Sequence, residues 1–283
     1  MQPRKITADY IFDGRRMLTG RMLLTDRDGR VVDLLPLDPG EDVEQHEGIL
    51  SPGFINCHCH LELSHMKGMI PERTGLADFV FRVVTERHHA EEEITAAIDQ
   101  AEEEMIRNGI VAVGDICNNI LTRPAKQHNR LRYYNFIEAS GWLPAVADKR
   151  FEHSRRIFDV FSENGTSKHN AIVPHAPYSV SDTLWDRIRP FFRDRVVTIH
   201  NQETKYENDF FRDGSGHLNE LYRRMGIDNT HHVPTGRTSL QSFFGKLRGA
   251  SRAILVHNTF TTREDVIATW QAAQNENNGE GKY

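Results

Sequence analysis

Cysteine is scarce. Cys57, Cys59 and Cys117 are the only three in 283 residues, and no two of them form a C-x-x-C pair. That excludes a disulfide framework and a structural zinc knuckle, and it suits a reducing compartment. Long apolar runs are lacking as well: no stretch approaches the roughly 20 residues that span a bilayer, and residues 1–10 hold no apolar core of a secretion signal. Neither sign of charge dominates. With 35 basic and 40 acidic residues and a formal net charge of −5, there is no basic stripe of the kind a phosphate backbone needs, which argues against a nucleic-acid partner. No repeat of fixed period, no low-complexity tract and no glycine-rich phosphate fingerprint after the first strand is present, and the last absence weakens a dinucleotide-binding open sheet. What these absences leave is a cytoplasmic globular protein with a small-molecule ligand and no membrane attachment, free to form a homo-oligomer.

A hydrophobic content of 38% supplies the core for one large α/β domain or two smaller ones. Residues 1–50 contain short β-type runs at 10–12, 22–24 and 31–35, separated by Gly14, Gly20, Asp28-Gly29 and Pro36. They predict a small antiparallel β unit. From residue 51 the style changes to apolar strand-like runs, the first around His58 and His60 and the others at 110–116, 131–138, 171–175, 196–200 and 253–257. Helical patterns alternate with them. The clearest covers 90–108, where Ile94, Ala97, Ile98, Ala101, Met105 and Ile106 recur at helical spacing before Gly109. Its acid runs, Glu91 to Glu93 and Glu102 to Glu104, read as a solvated face. Residues 271–283 turn polar and read as a loop. Strand-helix alternation predicts parallel strands joined by crossovers, in a (β/α)8 barrel or an open doubly wound sheet.

The most telling run is Pro52-Gly53-Phe54-Ile55-Asn56-Cys57-His58-Cys59-His60. Successive side chains of a strand point to opposite faces, so His58 and His60 share one face while Cys57 and Cys59 share the other. Two imidazoles on one face can grip a metal ion. Left unpaired in a core they would cost desolvation, which weighs against a purely structural pair. His175, His200 and His257 each fall at or near the C-terminal end of a further predicted strand, and in a barrel those ends converge on the face where active sites form.

Taken in order, Pro-Gly-Phe-Ile-Asn-x-His-x-His, Pro174-His175-Ala176-Pro177-Tyr178-Ser179-Val180, His200-Asn201-Gln202-Glu203 and Val256-His257-Asn258 resemble the amidohydrolase superfamily of metal-dependent hydrolases. The likeness is to its deaminase and chlorohydrolase branch, which includes S-adenosylhomocysteine, guanine and aminofutalosine deaminases. The resemblance implies a (β/α)8 barrel over 51–283 with about six of its eight strands present, and residues 1–50 as the N-terminal part of a composite β-sandwich. It implies His58, His60 and His200 as metal ligands, Glu203 as proton shuttle, His257 as the group that polarises the attacking water or the substrate's leaving region, and His175 as a substrate contact. The end of the fourth strand carries His175 rather than the lysine that bridges two metals in dinuclear members, so one divalent ion is expected, zinc first and iron second. Glu62 and Arg237 are further candidates for substrate contact, the latter in a long connection between the fifth and sixth strands that has the length of a lid.

The chemistry supports these roles independently. A divalent ion on neutral imidazoles with an open position brings the pKa of bound water down to roughly 7, and a carboxylate beside it can carry the proton to a departing amine. One departure stands out. The family's last ligand, an aspartate on the eighth strand, has no counterpart before Tyr283, since Asp115 and Asp265 sit elsewhere. An incomplete chain with two unpaired strand edges is therefore expected. Hydrolytic deamination of a purine-like or nucleoside-like aromatic amine is the leading reading. Cleavage of another C–N or a C–Cl bond on the same scaffold, and a metal-free, non-catalytic barrel, stay open beside it.

Overall fold

The computed structural model describes residues 3–163 and 167–278, and the chain divides into two units, Met1–Phe54 and Ile55–Tyr283. The first is built on β1 (Arg4–Phe12), which pairs antiparallel with β2 (Met17–Leu18) and β3 (Arg21–Thr25). β4 (Val31–Pro36) pairs antiparallel with β3. The β3–β4 turn is closed by Asp26, whose carboxylate accepts the backbone N–H groups of Asp28 and Arg30, both at 2.9 Å. A fifth strand that hydropathy does not reveal, β5 (Glu44–Leu50), runs parallel to β1, so the unit is mixed rather than wholly antiparallel.

The second unit alternates strands and helices. Its strands are β6 (Phe54–Cys59), β7 (Ile110–Cys117), β8 (Arg132–Ala139), β9 (Asn170–Pro174), β10 (Val196–Asn201) and β11 (Arg252–His257). Four form one sheet in the order β6-β7-β8-β9, and β10 and β11 form a parallel pair. The β7–β8 and β8–β9 pairings are parallel, and the His200 N–H donates to the His175 carbonyl at 2.9 Å, tying the end of β10 to the end of β9. Among the described residues, β6 and β11 each pair on one side only.

Helices α1 (Leu76–Glu86) and α2 (Glu91–Arg107) lie between β6 and β7, α3 (Arg123–Gln127) follows β7, α4 (Ala147–Phe161) follows β8, and α5 (Asp182–Ile188) follows β9. The acidic start of α2 suits the positive end of the helix dipole, and Gly109, at φ +78°, ends it before β7. One acid of this helix is not solvated. Glu102 is buried, accepts the Tyr133 hydroxyl at 2.8 Å and lies 3.6 Å from Arg130, because its position faces the strand layer rather than water.

The connection from β10 to β11 is not an open loop. It folds into α6 (Lys205–Asp213), α7 (Leu218–Arg224) and α8 (Ser239–Phe243), which bury Phe210, Leu221, Tyr222, Leu240 and Phe243. After β11, α9 (Arg263–Asn278) continues through polar sequence expected to be a loop, while residues 279–283 lie outside the described residues. Val266, Ile267 and Trp270 on α9 are exposed.

The core is strand-centred. Ile116, Phe136, Ile137, Ile172 and Ile199 are buried against Leu184, Trp185, Ile188 and Phe192, each such side chain contributing about 1.5–3 kcal/mol. Every residue of β9 is buried, the mark of a strand covered on both faces. Gly114 lets β7 approach β6: a Cβ there would lie 2.6 Å from the Cys57 carbonyl oxygen and 2.8 Å from the Phe136 ring.

Candidate active site

The alternation along β6 sends Cys59 to the packing side, against the cluster that contains Leu61, Ile94 and Ile98, and His58 and His60 to the other. Burial raises the Cys59 thiol to about 12, so it is no thiolate ligand. The imidazoles of β6 meet the one from β10: His60 Nε2 lies 3.1 Å from His58 Nε2 and 3.2 Å from His200 Nε2. These three can hold one metal ion between them. The tautomer of His200 is set by its surroundings, since its Nδ1 is 2.8 Å from the His175 carbonyl oxygen. A carbonyl only accepts, so Nδ1 carries the hydrogen and Nε2 presents its lone pair to the cluster.

Burial, helped by the neighbouring His200 and His60, lowers His58 to about 3, and burial likewise pushes His60 down. Both are neutral ligands at ordinary pH. The Nδ1 of His58 is buried without a partner among the described residues.

Behind His200 stands Glu138, from the end of β8. Its Oε1 is 3.5 Å from His200 Nδ1 and its Oε2 accepts the Asn118 side-chain amide at 3.1 Å. Burial opposes its ionisation, but His175, His200 and His60 outweigh that and hold it at about 2. Sequence reading passed Glu138 over, although an acid closing an otherwise apolar strand, as the histidines close theirs, was a usable signal. Glu138, His175 and His200 also approach one another closely enough to share an ion.

His175 sits just past β9, with Nδ1 2.7 Å from Ser179 Oγ and its pKa lowered by burial to about 4. Glu203, two residues past β10, has Oε2 3.5 Å from His257 Nε2. His257 closes β11 at φ +72° and stacks on His200 at 5.6 Å between ring centroids. Burial lowers its pKa, with the Glu203 charge acting the other way.

Two predicted contacts are placed elsewhere. Glu62 is fully buried and does not line the cavity: it pairs with Arg87 at 2.6 Å and accepts the backbone N–H groups of Asn118 and Asn119 at 2.8 and 3.1 Å, because the 3-10 turn Leu61–Met66 directs it toward the loop after β7. Arg237 is exposed in a turn stabilised by its own N–H to Thr235 Oγ1, away from the lining. Asp115 and Asp265 are committed too. Asp115 lies 2.5 Å from Lys126 Nζ, and Asp265 accepts from Gln202, Gln241 and Thr262.

The five histidines, Glu138 and Glu203 line a cavity of about 1100 Å³. Leu76, Val80, Val83, Met225 and Ile227 make part of the lining apolar, and Trp142 and Arg87, neither foreseen in the sequence, line it as well. No helix among the described residues is long and apolar enough to cross a membrane.

A family model described as the amidohydrolase family matches residues 49–279. The aminodeoxyfutalosine deaminase of a Nitratiruptor species is 25% identical over 252 residues, covering 86% of this chain and 60% of that protein. The 5-methylthioadenosine/S-adenosylhomocysteine deaminase of Saccharophagus degradans is 25% identical over 243 residues, 72% of this chain and 50% of that protein. Among solved structures, Helicobacter pylori aminofutalosine deaminase in complex with methylthio-coformycin gives a TM-score of 0.79 at 19% identity, covering 96% of this chain and 68% of that one, which shows a shared fold. The chain thus spans half to three fifths of the length of these two curated relatives. The family match encloses every histidine of the cluster and the carboxylates beside it, and the chain belongs to the amidohydrolase family.

Proposed function

We propose that this chain carries the machinery of a metal-dependent hydrolase acting on carbon–nitrogen bonds, a hydrolytic deaminase of a purine-like or nucleoside-like aromatic amine. The observation that carries the reading is the meeting of His58, His60 and His200 at one point, with the Glu203–His257 pair beside it. The residues fit a divalent ion: three imidazoles converge, and the His175 carbonyl aims the His200 lone pair at the others. Imidazole donors suit zinc, our first expectation, and iron. Such an ion supplies Lewis acidity that brings the pKa of a water it holds to roughly 7.

The remaining work falls to the chain's own groups. Glu203 takes the proton of the attacking water and returns it to the amine nitrogen as the C–N bond breaks. His257, 3.5 Å from that carboxylate, orients the same water. His175, held by Ser179, meets the ring of the substrate. The apolar wall gives room for a substituent beyond the ring. The names of the relatives, an aminodeoxyfutalosine deaminase and a 5-methylthioadenosine/S-adenosylhomocysteine deaminase, support the same substrate class. With this reading go a (β/α)8 barrel over residues 51–283, a composite β-sandwich that includes residues 1–50, and a small-molecule enzyme of the cytoplasm, as a monomer or homo-oligomer.

The test is ammonia release by the zinc-loaded protein from adenosine, 5-methylthioadenosine, S-adenosylhomocysteine and guanine. We expect turnover of at least one adenosine-type compound. Protein that holds zinc yet frees no ammonia from any of them would overturn the proposal, and appearance of a carboxylate or chloride product from related compounds would move it to another hydrolysis.

A further inference from the structure

We propose that Glu207 is the positioning residue for Glu203, fixing the loop after β10 in the backbone shape that turns the Glu203 carboxylate to His257. The inference rests on the reading of Glu203 as proton carrier. Glu207 lies in the first turn of α6, is fully buried and does not line the cavity, so it cannot meet a substrate. Its two oxygens grip successive peptide groups. Oε1 accepts the Glu203 N–H at 2.7 Å, and Oε2 accepts the Gln202 N–H at 2.9 Å and has Ser239 Oγ beside it at 3.4 Å. The two bonds hold the peptide groups on both sides of the Gln202 Cα.

The grip has something to hold. Gln202 has φ +48°, in the left-handed region that a side chain disfavours, and it is the residue that swings the chain from His200 to Glu203. Its side chain is tied down as well, donating to Asn208 Oδ1 at 3.0 Å and to Asp265 Oδ2 at 3.1 Å.

Ser239, beside this carboxylate, belongs to the bonds that hold the other half of the pair. Ser239 Oγ donates to Asn201 Oδ1 at 3.1 Å, and the Asn201 amide donates to Asn258 Oδ1 at 2.6 Å, next to His257. His257 and Asn258 also have positive φ, +72° and +51°. Three non-glycine residues in the left-handed region thus flank one 3.5 Å contact, and Glu207 holds the Glu203 side of it through the Gln202 and Glu203 N–H groups.

A carboxamide keeps the size of Glu207 but puts an NH2 where an acceptor must face an N–H. In the zinc-loaded full chain assayed with 5-methylthioadenosine, E207Q should lower kcat about 10-fold or more, leave KM within about two-fold and leave bound zinc unchanged. On an E203Q background the same change should cost less than about two-fold, because it acts through Glu203. Independently of turnover, amide hydrogen exchange at Gln202 and Glu203 should quicken about 10-fold in E207Q, with β8 amides unaffected. Losses that multiply in full in the double variant, or unchanged exchange at both amides, would overturn the proposal. Should E207Q not fold, Glu207→Asp draws the carboxylate back from both N–H groups and should lower kcat in the same direction, again only when Glu203 is present. If the unmodified zinc-loaded protein deaminates nothing, the functional reading falls, and the exchange measurement still decides the role of Glu207.

Discussion

His200 Nδ1 lies 2.8 Å from the carbonyl oxygen of His175, so the backbone of one strand end dictates which nitrogen the next strand offers. Glu138 adds to this from 3.5 Å behind the same nitrogen. A carboxylate on the far side of a ligating imidazole raises its basicity, and losing such a partner typically weakens metal binding about 10–100-fold. Glu138→Gln should therefore bind zinc weaker by that order in competition with a chelator. Equal affinity in the two proteins would mean that the carbonyl alone sets His200.

Beneath the first ligand strand lies a buried ion pair. Asp115 Oδ2 is 2.5 Å from Lys126 Nζ, and Asp115 Oδ1 accepts the backbone N–H of Leu61 at 2.9 Å, one residue past His60. Removing one member strands the other charge in the core at a cost of about 3–5 kcal/mol. Lys126→Met should lose that much in urea unfolding, and Lys126→Met with Asp115→Asn should recover most of it. A single variant as stable as the parent would show that Asp115 is held by its other hydrogen bonds.

Two buried groups set opposite pH slopes. His175 has its pKa lowered by burial from 6.5 to about 4, so its contribution is complete above pH 6.5 and is lost as pH falls toward 4, about 3 kcal/mol in all. Glu207 has its pKa raised by burial from 4.5 to about 7, so it favours folding at low pH and loses that contribution as pH rises from 4.5 to 7. In metal-free protein, His175→Asn should flatten the acid loss of stability, and E207Q should gain on the parent steadily across pH 4.5 to 7. Urea midpoints at four pH values separate the two, and parallel curves for parent and variant would discount either group.

Much of this was legible because strands announce themselves by apolar runs, and the six that alternate with helices in residues 51–283 do so clearly. His58, His60, His175, His200 and His257 could be placed at strand ends because a strand's face and end follow from counting. What failed needed three dimensions. β5 has an exposed, polar sequence, so no period marks it, and it exists because β1 offers it an edge. Glu62 stands two residues from His60 and looked like a site group, yet the 3-10 turn sends it to the N–H groups of Asn118 and Asn119. Glu102 sits in an acid run, and only the partner Tyr133 on β8 distinguishes it from its solvated neighbours. The β10–β11 connection read as a lid from its length, and only the burial of Phe210, Leu221 and Leu240 shows that it folds into packed helices.

Gly114 links packing to the site most directly. A methyl group there would stand 2.6 Å from the Cys57 carbonyl oxygen and 2.8 Å from the Phe136 ring. The ring can give way, but the carbonyl belongs to β6, whose next residue is His58, so relief means moving the ligand strand. Overpacking of this kind costs about 1–3 kcal/mol. Gly114→Ala should lose that stability and also bind zinc more weakly, because His58 and His60 would shift relative to His200 on β10. Adding Phe136→Leu should return part of the stability while leaving the zinc defect, since it relieves the ring contact and not the carbonyl. The alternative outcome, in which Phe136→Leu restores zinc binding completely, would place the strain in the ring and show that β6 does not move.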